Sequence, residues 1–168
     1  WLKLPDMPCG SVCHGFVCSP DRRFLYVVGG HVHNVKTLDR WSRYNVEGGK
    51  WEDMGKLPAA VYGNGVCCLG DEQGYCLVSV GNWDRKGSKV MVYNVGLPDV
   101  EFEVGKWIKP EIFETLLTGQ VCAQVYAWRD REAIVVTRNK KVYSLSLTQS
   151  VHLEEVKTLE EEPFFVKC

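Results

Sequence analysis

The feature that most constrains the fold of this chain is an internal repeat of about fifty residues. Aromatic landmarks recur at that spacing: Trp1, Trp51 and Trp107 lie 50 and 56 residues apart, and Tyr44, Tyr93 and Tyr143 lie 49 and 50 apart. A Gly-x-x-Cys pattern recurs in step with them, at Gly15/Cys18, Gly65/Cys68 and Gly119/Cys122. Because independent landmarks agree in spacing, we interpret the chain as three consecutive copies of one structural unit.

Each unit contains four short apolar runs, which predict strands because they are rich in β-branched and aromatic residues and are separated by Gly, Pro, Asp and Asn. The runs are Val12–Cys18, Phe24–Val28, Arg40–Val46 and one centred on Trp51; Gly65–Leu69, Tyr75–Val80, Lys89–Val95 and Phe102–Ile108; Val121–Trp128, Ala133–Val136, Lys141–Leu147 and Val151–Leu159. The stretch Glu111–Leu117 predicts a turn of helix within a loop. Four short strands per unit is typical of a β-propeller blade. We therefore predict an all-β fold of about three four-stranded antiparallel blades, over residues 9–58, 59–109 and 112–159.

The first repeat resembles the kelch motif in the order of its landmarks. The run Leu25-Tyr26-Val27-Val28-Gly29-Gly30 is followed by Arg43-Tyr44-Asn45, then by Trp51 seven residues after the tyrosine, and then by Leu57-Pro58. The lead-in Leu4-Pro5-Asp6-Met7-Pro8 is also similar to kelch proteins. Glycine fits where a blade narrows and backbones crowd, and tyrosine and tryptophan supply large apolar area between blades. These residues are therefore expected to build the fold and to carry no chemistry.

The resemblance covers nearly the whole chain, but the later repeats depart from the motif. The second repeat keeps Gly81 and has Asn82 in place of the second glycine, and its last interval is lengthened by an insertion. In the third repeat Thr137-Arg138 stand where the glycines are expected, and no tryptophan follows Tyr143. Only the first repeat is diagnostic.

The resemblance implies a protein–protein interaction module, such as the substrate-recognition kelch domain of the BTB–kelch adaptors of cullin–RING ubiquitin ligases. Kelch proteins that bind actin or belong to the cytoskeleton are the alternative, and F-box proteins with kelch repeats also act in ubiquitination. Because propellers close with about four to eight blades, further blades are expected before Trp1, after Cys168 or on both sides. Contacts to a cullin–RING ligase or to actin would run through regions outside this chain.

An enzyme on the same fold is the second class of function, since a fold does not specify a function. The galactose-oxidase family also builds its catalytic domain from kelch-like blades, and it holds copper with tyrosine and histidine. We find no tyrosine with paired histidines that supports this reading, and the predicted innermost strands are poor in Asp and Glu. We therefore expect no enzymatic activity and no cofactor.

Net charge, the length of the apolar runs and the cysteines limit which partners and which cellular compartment are expected. The net charge of −1 argues against nucleic acid or an anionic membrane as the partner, and no apolar run approaches the roughly 20 residues that span a bilayer. Of the eight cysteines, Cys18, Cys68, Cys76 and Cys122 fall in strand-like runs. We interpret them as reduced, buried thiols, with a disulfide or a metal site as the alternatives. Reduced thiols favour a cytoplasmic protein, including one associated with the cytoskeleton.

Candidate partner-binding residues lie in the loops between the second and third strands of each unit. In an antiparallel meander these loops share one face with the connections between units. The candidates are His31, His33 and Lys36 in the first loop, Trp83, Arg85 and Lys86 in the second, and Arg138 and Lys140 in the third. We expect the basic groups to contact an acidic peptide or protein segment, with Trp83 as an aromatic anchor. The alternative is solvated loop charge, and acidic residues expected on the same face would weaken the basic field: Asp6, Glu111 and Glu114.

Three other constellations have both a functional and a structural interpretation. His31 and His33 alternate on an extended segment, yet two imidazoles without a third ligand rarely hold a metal. Cys13 and His14 are adjacent, and in a strand they would face opposite sides and fail to meet as a nucleophilic pair. The cysteines of the Gly-x-x-Cys pattern are either a redox-sensitive ring or small residues suited to a crowded centre.

Overall fold

The computed structural model describes residues 3–33, 36–83, 89–109, 117 and 122–160. In chain order the strands are β1 (Gly15–Cys18), β2 (Phe24–Val28), β3 (His31–Val32), β4 (Lys36–Thr37), β5 (Arg40–Asn45), β6 (Lys50–Lys56), β7 (Gly65–Gly70), β8 (Tyr75–Val80), β9 (Val90–Asn94), β10 (Trp107–Ile108), β11 (Ala123–Arg129), β12 (Glu132–Thr137), β13 (Lys141–Leu147) and β14 (Val151–Thr158). They form three four-stranded antiparallel sheets and a small hairpin. No helix occurs within these ranges, so none of the described elements could span a membrane as a helix.

The sheets follow one another along the chain. Sheet 1 is β1-β2-β5-β6, sheet 2 is β7-β8-β9-β10 and sheet 3 is β11-β12-β13-β14, while β3 and β4 pair with each other inside the loop that joins β2 to β5. The prediction of an all-β chain with four-stranded antiparallel sheets is confirmed. The predicted turn of helix at residues 111–117 lies outside the described residues, apart from Leu117.

Most predicted strands agree with the structure to within a few residues, and two are shorter. The first run begins at Gly15 and not at Val12, because Cys13 adopts a left-handed conformation with φ of 55°. Val12 forms only an isolated bridge to His31. The fourth strand of sheet 2 is reduced to Trp107–Ile108, because the preceding residues form a long connection folded around Asn94.

The recurring aromatic residues occupy equivalent positions in the three sheets. Each tyrosine pairs with a second-strand residue on one side and a fourth-strand residue on the other: Leu25–Tyr44–Trp51, Leu77–Tyr93–Trp107 and Val135–Tyr143–Glu155. The repeat read from the sequence is therefore a repeat of strand register. In the third sheet the bulge beside Tyr143 and the glutamate opposite it mark the departure from the pattern.

The cysteine pattern holds in two sheets and fails in the third. The second-strand residues that pair with the recurring tyrosines also pair with one residue each in the first strands. These first-strand residues are Cys18, Cys68 and Val125. Cys122 lies three residues before Val125, ahead of β11, so the expectation of three matched cysteines is wrong. The expectation of burial is also wrong for Cys18, which is exposed, whereas Cys76 and Cys122 are buried and Cys68 is half-buried.

Sheet 2 is covered on both faces. Alternate residues of β7 point in opposite directions: Val66 packs in the cluster shared with sheet 1, while Cys67 and Leu69 pack in the cluster shared with sheet 3. All six residues of β8 are buried for the same reason. Burial raises the pKa of the Cys67 thiol to about 12, so this thiol is neutral and behaves as a small apolar side chain.

The first strands of the three sheets lie side by side. Strand β1 neighbours β7, and β7 neighbours β11. The approach is close at Gly65, where a Cβ would stand 2.7 Å from the backbone nitrogen of Val125 and 2.8 Å from the carbonyl oxygen of Ala123. Glycine is required here because the backbone of the next sheet occupies the space of a side chain.

Aromatic rings fill the outer part of the junction between sheets 1 and 2. The ring centroids of Trp41 and Tyr93 lie 4.6 Å apart, and those of Trp41 and Trp107 lie 5.2 Å apart. The hydroxyls of Tyr26 and Tyr75 are hydrogen-bonded at 2.8 Å, and burial is the main cause that raises the pKa of both phenols. Aromatic packing and a buried hydrogen bond therefore join sheets 1 and 2 at this junction.

Candidate functional site

The loops that follow the second strands meet the connection between sheets 1 and 2 at one end of the molecule, which we call the loop end. The backbone N–H of Gly30 donates to the carbonyl of Val61 at 2.8 Å, and that of Trp83 donates to the carbonyl of Tyr62 at 2.8 Å. Asn82, nearly fully buried, accepts from the Tyr62 N–H through Oδ1 at 3.4 Å. The shared face expected from strand alternation is thus built by backbone hydrogen bonds.

Two side-chain contacts at the loop end, His31 with Tyr62 and Arg138 with Trp83, are connected through the backbone hydrogen bond between Trp83 and Tyr62. These four residues are named here the aromatic row. The rings of His31 and Tyr62 have centroids 5.2 Å apart and are tilted by 35°. The guanidinium of Arg138 lies over the indole of Trp83, with its central carbon 4.5 Å from the ring centroid. Three of the four were predicted as partner-binding residues, and these three follow the second strands of sheets 1, 2 and 3.

Glycine at position 63 allows the row to assemble. Gly63 has a φ of 64°, and a Cβ there would stand 3.3 Å from Cβ of Trp83. Its N–H donates to the carbonyl of Cys13 at 2.7 Å, and its carbonyl accepts from the N–H of Ala123 at 3.1 Å. This one residue therefore joins the starts of all three sheets directly beside Trp83.

The remaining predicted residues have different surroundings. His33 and Lys36 are exposed on the β3–β4 hairpin. Lys140 is half-buried, and its ammonium donates to the carbonyl of Glu160 at 3.3 Å. Arg85 and Lys86 lie outside the described residues.

Of the acidic residues expected to oppose the basic loops, the structure describes Asp6. Asp6 follows Pro5, whose carbonyl accepts from Nε1 of Trp51 at 2.9 Å, near the start of β6. The loop end lies beyond the other terminus of that strand, so the expectation that Asp6 shares this face is wrong. Asp6 pairs with Lys3 at 3.4 Å, while the expected residues Glu111 and Glu114 fall outside the described ranges.

The electrostatics of the row centre on Arg138. Its side chain is exposed, and among the described residues no carboxylate lies within ion-pairing distance of it. A guanidinium stacked on an indole keeps its in-plane N–H donors directed outward, where a planar carboxylate can accept two of them. The arrangement suits an anionic group flanked by apolar surface.

A groove of about 310 Å³ runs from the loop end between the three first strands. Its polar lining includes His14, whose Nδ1 lies 3.2 Å from the hydroxyl of Ser11, and the buried Asn64. The Nδ2 of Asn64 donates to the hydroxyl of Ser79 at 2.9 Å, which braces sheet 2 from within. Asn64 precedes a strand and is followed by glycine, a signal for a structured turn that the sequence analysis did not use.

The described part of the chain gives no geometric support to the hypotheses of a catalytic Cys–His pair or of a metal site. Cys13 and His14 lie in an irregular segment before β1, so strand alternation is not what separates them as the sequence analysis assumed. Both line the groove. Among the described residues, no group of three or more His, Cys, Asp or Glu side chains is placed to hold a metal ion.

Tyr62 is the functional candidate that the sequence analysis missed. It lies in the connection between sheets 1 and 2, outside every strand and outside the loops between second and third strands that supplied the other candidates. The available signal was an aromatic residue within a Gly- and Asn-rich connector expected on the same face as the candidate loops.

Comparison with known proteins adds no family assignment. No protein-family model matches the chain. A search of curated proteins returned no significant match.

Proposed function

We propose that this chain is a kelch-type protein–protein interaction module, in which the three sheets are consecutive blades of a larger β-propeller and the loop end binds an acidic segment of a partner protein. The observation that carries the proposal is the aromatic row, in which the contacts of His31 with Tyr62 and of Arg138 with Trp83 lie together at the loop end. Among the described residues, no carboxylate pairs with Arg138. Loops on a rigid scaffold are the usual place for recognition.

The arrangement of the sheets supports the propeller part of this proposal. Three four-stranded antiparallel sheets follow in chain order, their first strands are neighbours, and the tyrosines of their third strands hold equivalent register positions. A set of sheets joined at their first strands is what a wedge-shaped blade arrangement requires. Further sheets, from regions outside this chain, would complete the ring.

The chemistry of the loop end supports an acidic partner. Arg138 offers a bidentate donor, and Trp83 and Tyr62 offer apolar surface of the kind that dominates binding energy at protein interfaces. We propose a role as a substrate-recognition subunit of a ubiquitin ligase, and the resemblance of the first repeat to the kelch motif of BTB–kelch adaptors supports it. No disulfide joins the seven described cysteines, which accords with the cytoplasm proposed for it.

The test is selection of random peptides displayed on phage against the immobilised chain, followed by anisotropy titration of the enriched peptides. We expect enrichment of Asp and Glu beside an apolar residue. Arg138→Glu removes the guanidinium and adds a repelling charge, so it should weaken binding at least tenfold, and Trp83→Ala should do the same by removing the anchor.

Arg22→Glu is the matched control, because Arg22 is an exposed arginine in the turn at the opposite end of sheet 1. Its charge reversal changes the net charge by the same amount and should leave affinity unchanged. Enriched peptides without acidic residues, or equal losses in the two arginine variants, would contradict the proposal.

A further inference from the structure

Two cysteines lie on neighbouring strands at the junction of sheets 1 and 2. Cys18 ends β1 and Cys68 lies within β7, and the register of their sheets gives them equivalent positions on these neighbouring strands. The Cys68 sulfur lies 3.5 Å from the carbonyl oxygen of Cys18, so the sulfur already touches the backbone of the other cysteine. The Cys18 thiol donates to the carbonyl of Ser19 at 3.4 Å, a contact that a link to Cys68 would replace.

Both thiols are reachable from one surface. Cys18 and Cys68 line a groove of about 640 Å³ at the end of the first strands opposite the loop end. Cys18 is exposed and Cys68 is half-buried, whereas Cys76, in the cluster shared with sheet 3, is fully buried. Cys67 also borders this groove, but it packs in the cluster with sheet 3 and is 3% exposed.

We propose that Cys18 and Cys68 form an intramolecular disulfide between sheets 1 and 2 when a hydroperoxide enters this groove. In the first step the Cys18 thiolate attacks the peroxide, the O–O bond breaks, and the leaving oxygen takes a proton to become water or an alcohol. This gives a sulfenic acid on Cys18. In the second step the Cys68 sulfur attacks the Cys18 sulfur, the S–O bond breaks and water leaves. Each sulfur loses one electron, and the peroxide gains two.

The two cysteines have different roles in this sequence. Exposure makes Cys18 the group that the oxidant meets first. Burial, as the main cause, raises the pKa of the Cys68 thiol above its ordinary value, which keeps Cys68 protonated and a poor first target. Cys68 is therefore the resolving partner, and its contact with Cys18 provides the proximity that condensation needs.

The disulfide would tie together residues 50 positions apart and two separate sheets. A link of that span constrains the unfolded chain and opposes separation of the sheets at this end of the groove. The inference is independent of the peptide-binding proposal, because the cysteines lie at the opposite end of the first strands from the aromatic row.

The experiment treats the reduced protein with hydrogen peroxide, blocks free thiols, and maps disulfides by proteolysis and fragmentation mass spectrometry without reduction. We expect a peptide pair joined through Cys18 and Cys68, with loss of two hydrogen atoms, and a higher unfolding temperature that reductant reverses. Cys18→Ser and Cys68→Ser should each abolish the pair and the temperature shift.

Cys9→Ser is the control, because Cys9 is equally exposed but outside the sheets; it should leave the link intact. The proposal is overturned if Cys18 stops at the sulfenic or sulfinic acid with no link to Cys68. It is also overturned if the link joins Cys13 to Cys122, which line the other end of the first strands.

Discussion

Gly65 shows how a single residue limits the distance between two sheets. The recurring Gly-x-x-Cys pattern marks its position in the sequence. The structure shows that the position is crowded, because the two atoms nearest to a Cβ there belong to the backbone of β11 and cannot turn away as a side chain could. Gly10 is the opposite case, with no atom within 4 Å of the place of a Cβ.

Gly65→Ala should therefore destabilise the protein by about 1–3 kcal/mol, the usual cost of forcing an extra methyl group into a packed interior. Gly10→Ala should stay within about 0.5 kcal/mol of wild type, as surface substitutions do. Urea unfolding followed by tryptophan fluorescence measures both. Equal stability of the two variants would show that the sheets can move apart at β7 without cost.

Asn94 organises the connection between β9 and β10. Its Nδ2 donates to the carbonyls of Leu97 and Phe102 at 3.0 and 2.8 Å, and its Oδ1 accepts from the N–H groups of Gly96 and Leu97 at 2.8 and 2.7 Å. The side chain is 1% exposed. An insertion that looks irregular in sequence is therefore ordered by one asparagine, which explains why the predicted strand Phe102–Ile108 is reduced to its last two residues.

Asn94→Ala should cost about 2–4 kcal/mol, because it leaves several buried backbone groups without partners. Asn45 is the matched comparison, since it holds the equivalent place after Tyr44 and accepts one backbone hydrogen bond, from Gly48. Asn45→Ala should cost about 1 kcal/mol. Thermal and urea unfolding measure the stability of the two variants. A larger loss of stability for Asn45→Ala than for Asn94→Ala would contradict the role given to Asn94.

The three sheets differ in how their faces are covered. In sheet 2 the pair Leu69–Cys76 packs against sheet 3, whereas the equivalent pair in sheet 3, Tyr126–Ile134, is exposed. Trp128 extends this exposed surface and is 63% accessible. In the proposed propeller these residues would receive the next sheet, and in the chain studied alone they form an apolar patch that favours association.

Ile134→Lys should reduce concentration-dependent self-association of the 168-residue chain and leave its unfolding temperature nearly unchanged. Val135→Lys is the control on the same strand, and it should prevent folding because Val135 is fully buried between sheets 2 and 3. Sedimentation velocity and circular dichroism measure the two effects. Persistent association of a folded Ile134→Lys variant would assign the contact to another surface.

Local patterns in the sequence were sufficient for the strands, their order and the equivalence of Tyr44, Tyr93 and Tyr143. Alternation of apolar residues and turn chemistry act over a few neighbouring positions, so they can be read without the fold. The candidate site was recovered in part, because His31, Trp83 and Arg138 lie in loops whose common face follows from antiparallel pairing alone.

Contacts between segments that are distant in the chain could not be predicted from the sequence, because they depend on how the sheets pack. Tyr62 joins the row through backbone hydrogen bonds to a loop that is twenty residues away in the chain. Cys122 is out of register because the third sheet begins later than the spacing of cysteines suggests, and Cys18 meets Cys68 because two separate sheets approach at their first strands. Such approaches depend on how whole sheets pack, which no short window of sequence encodes.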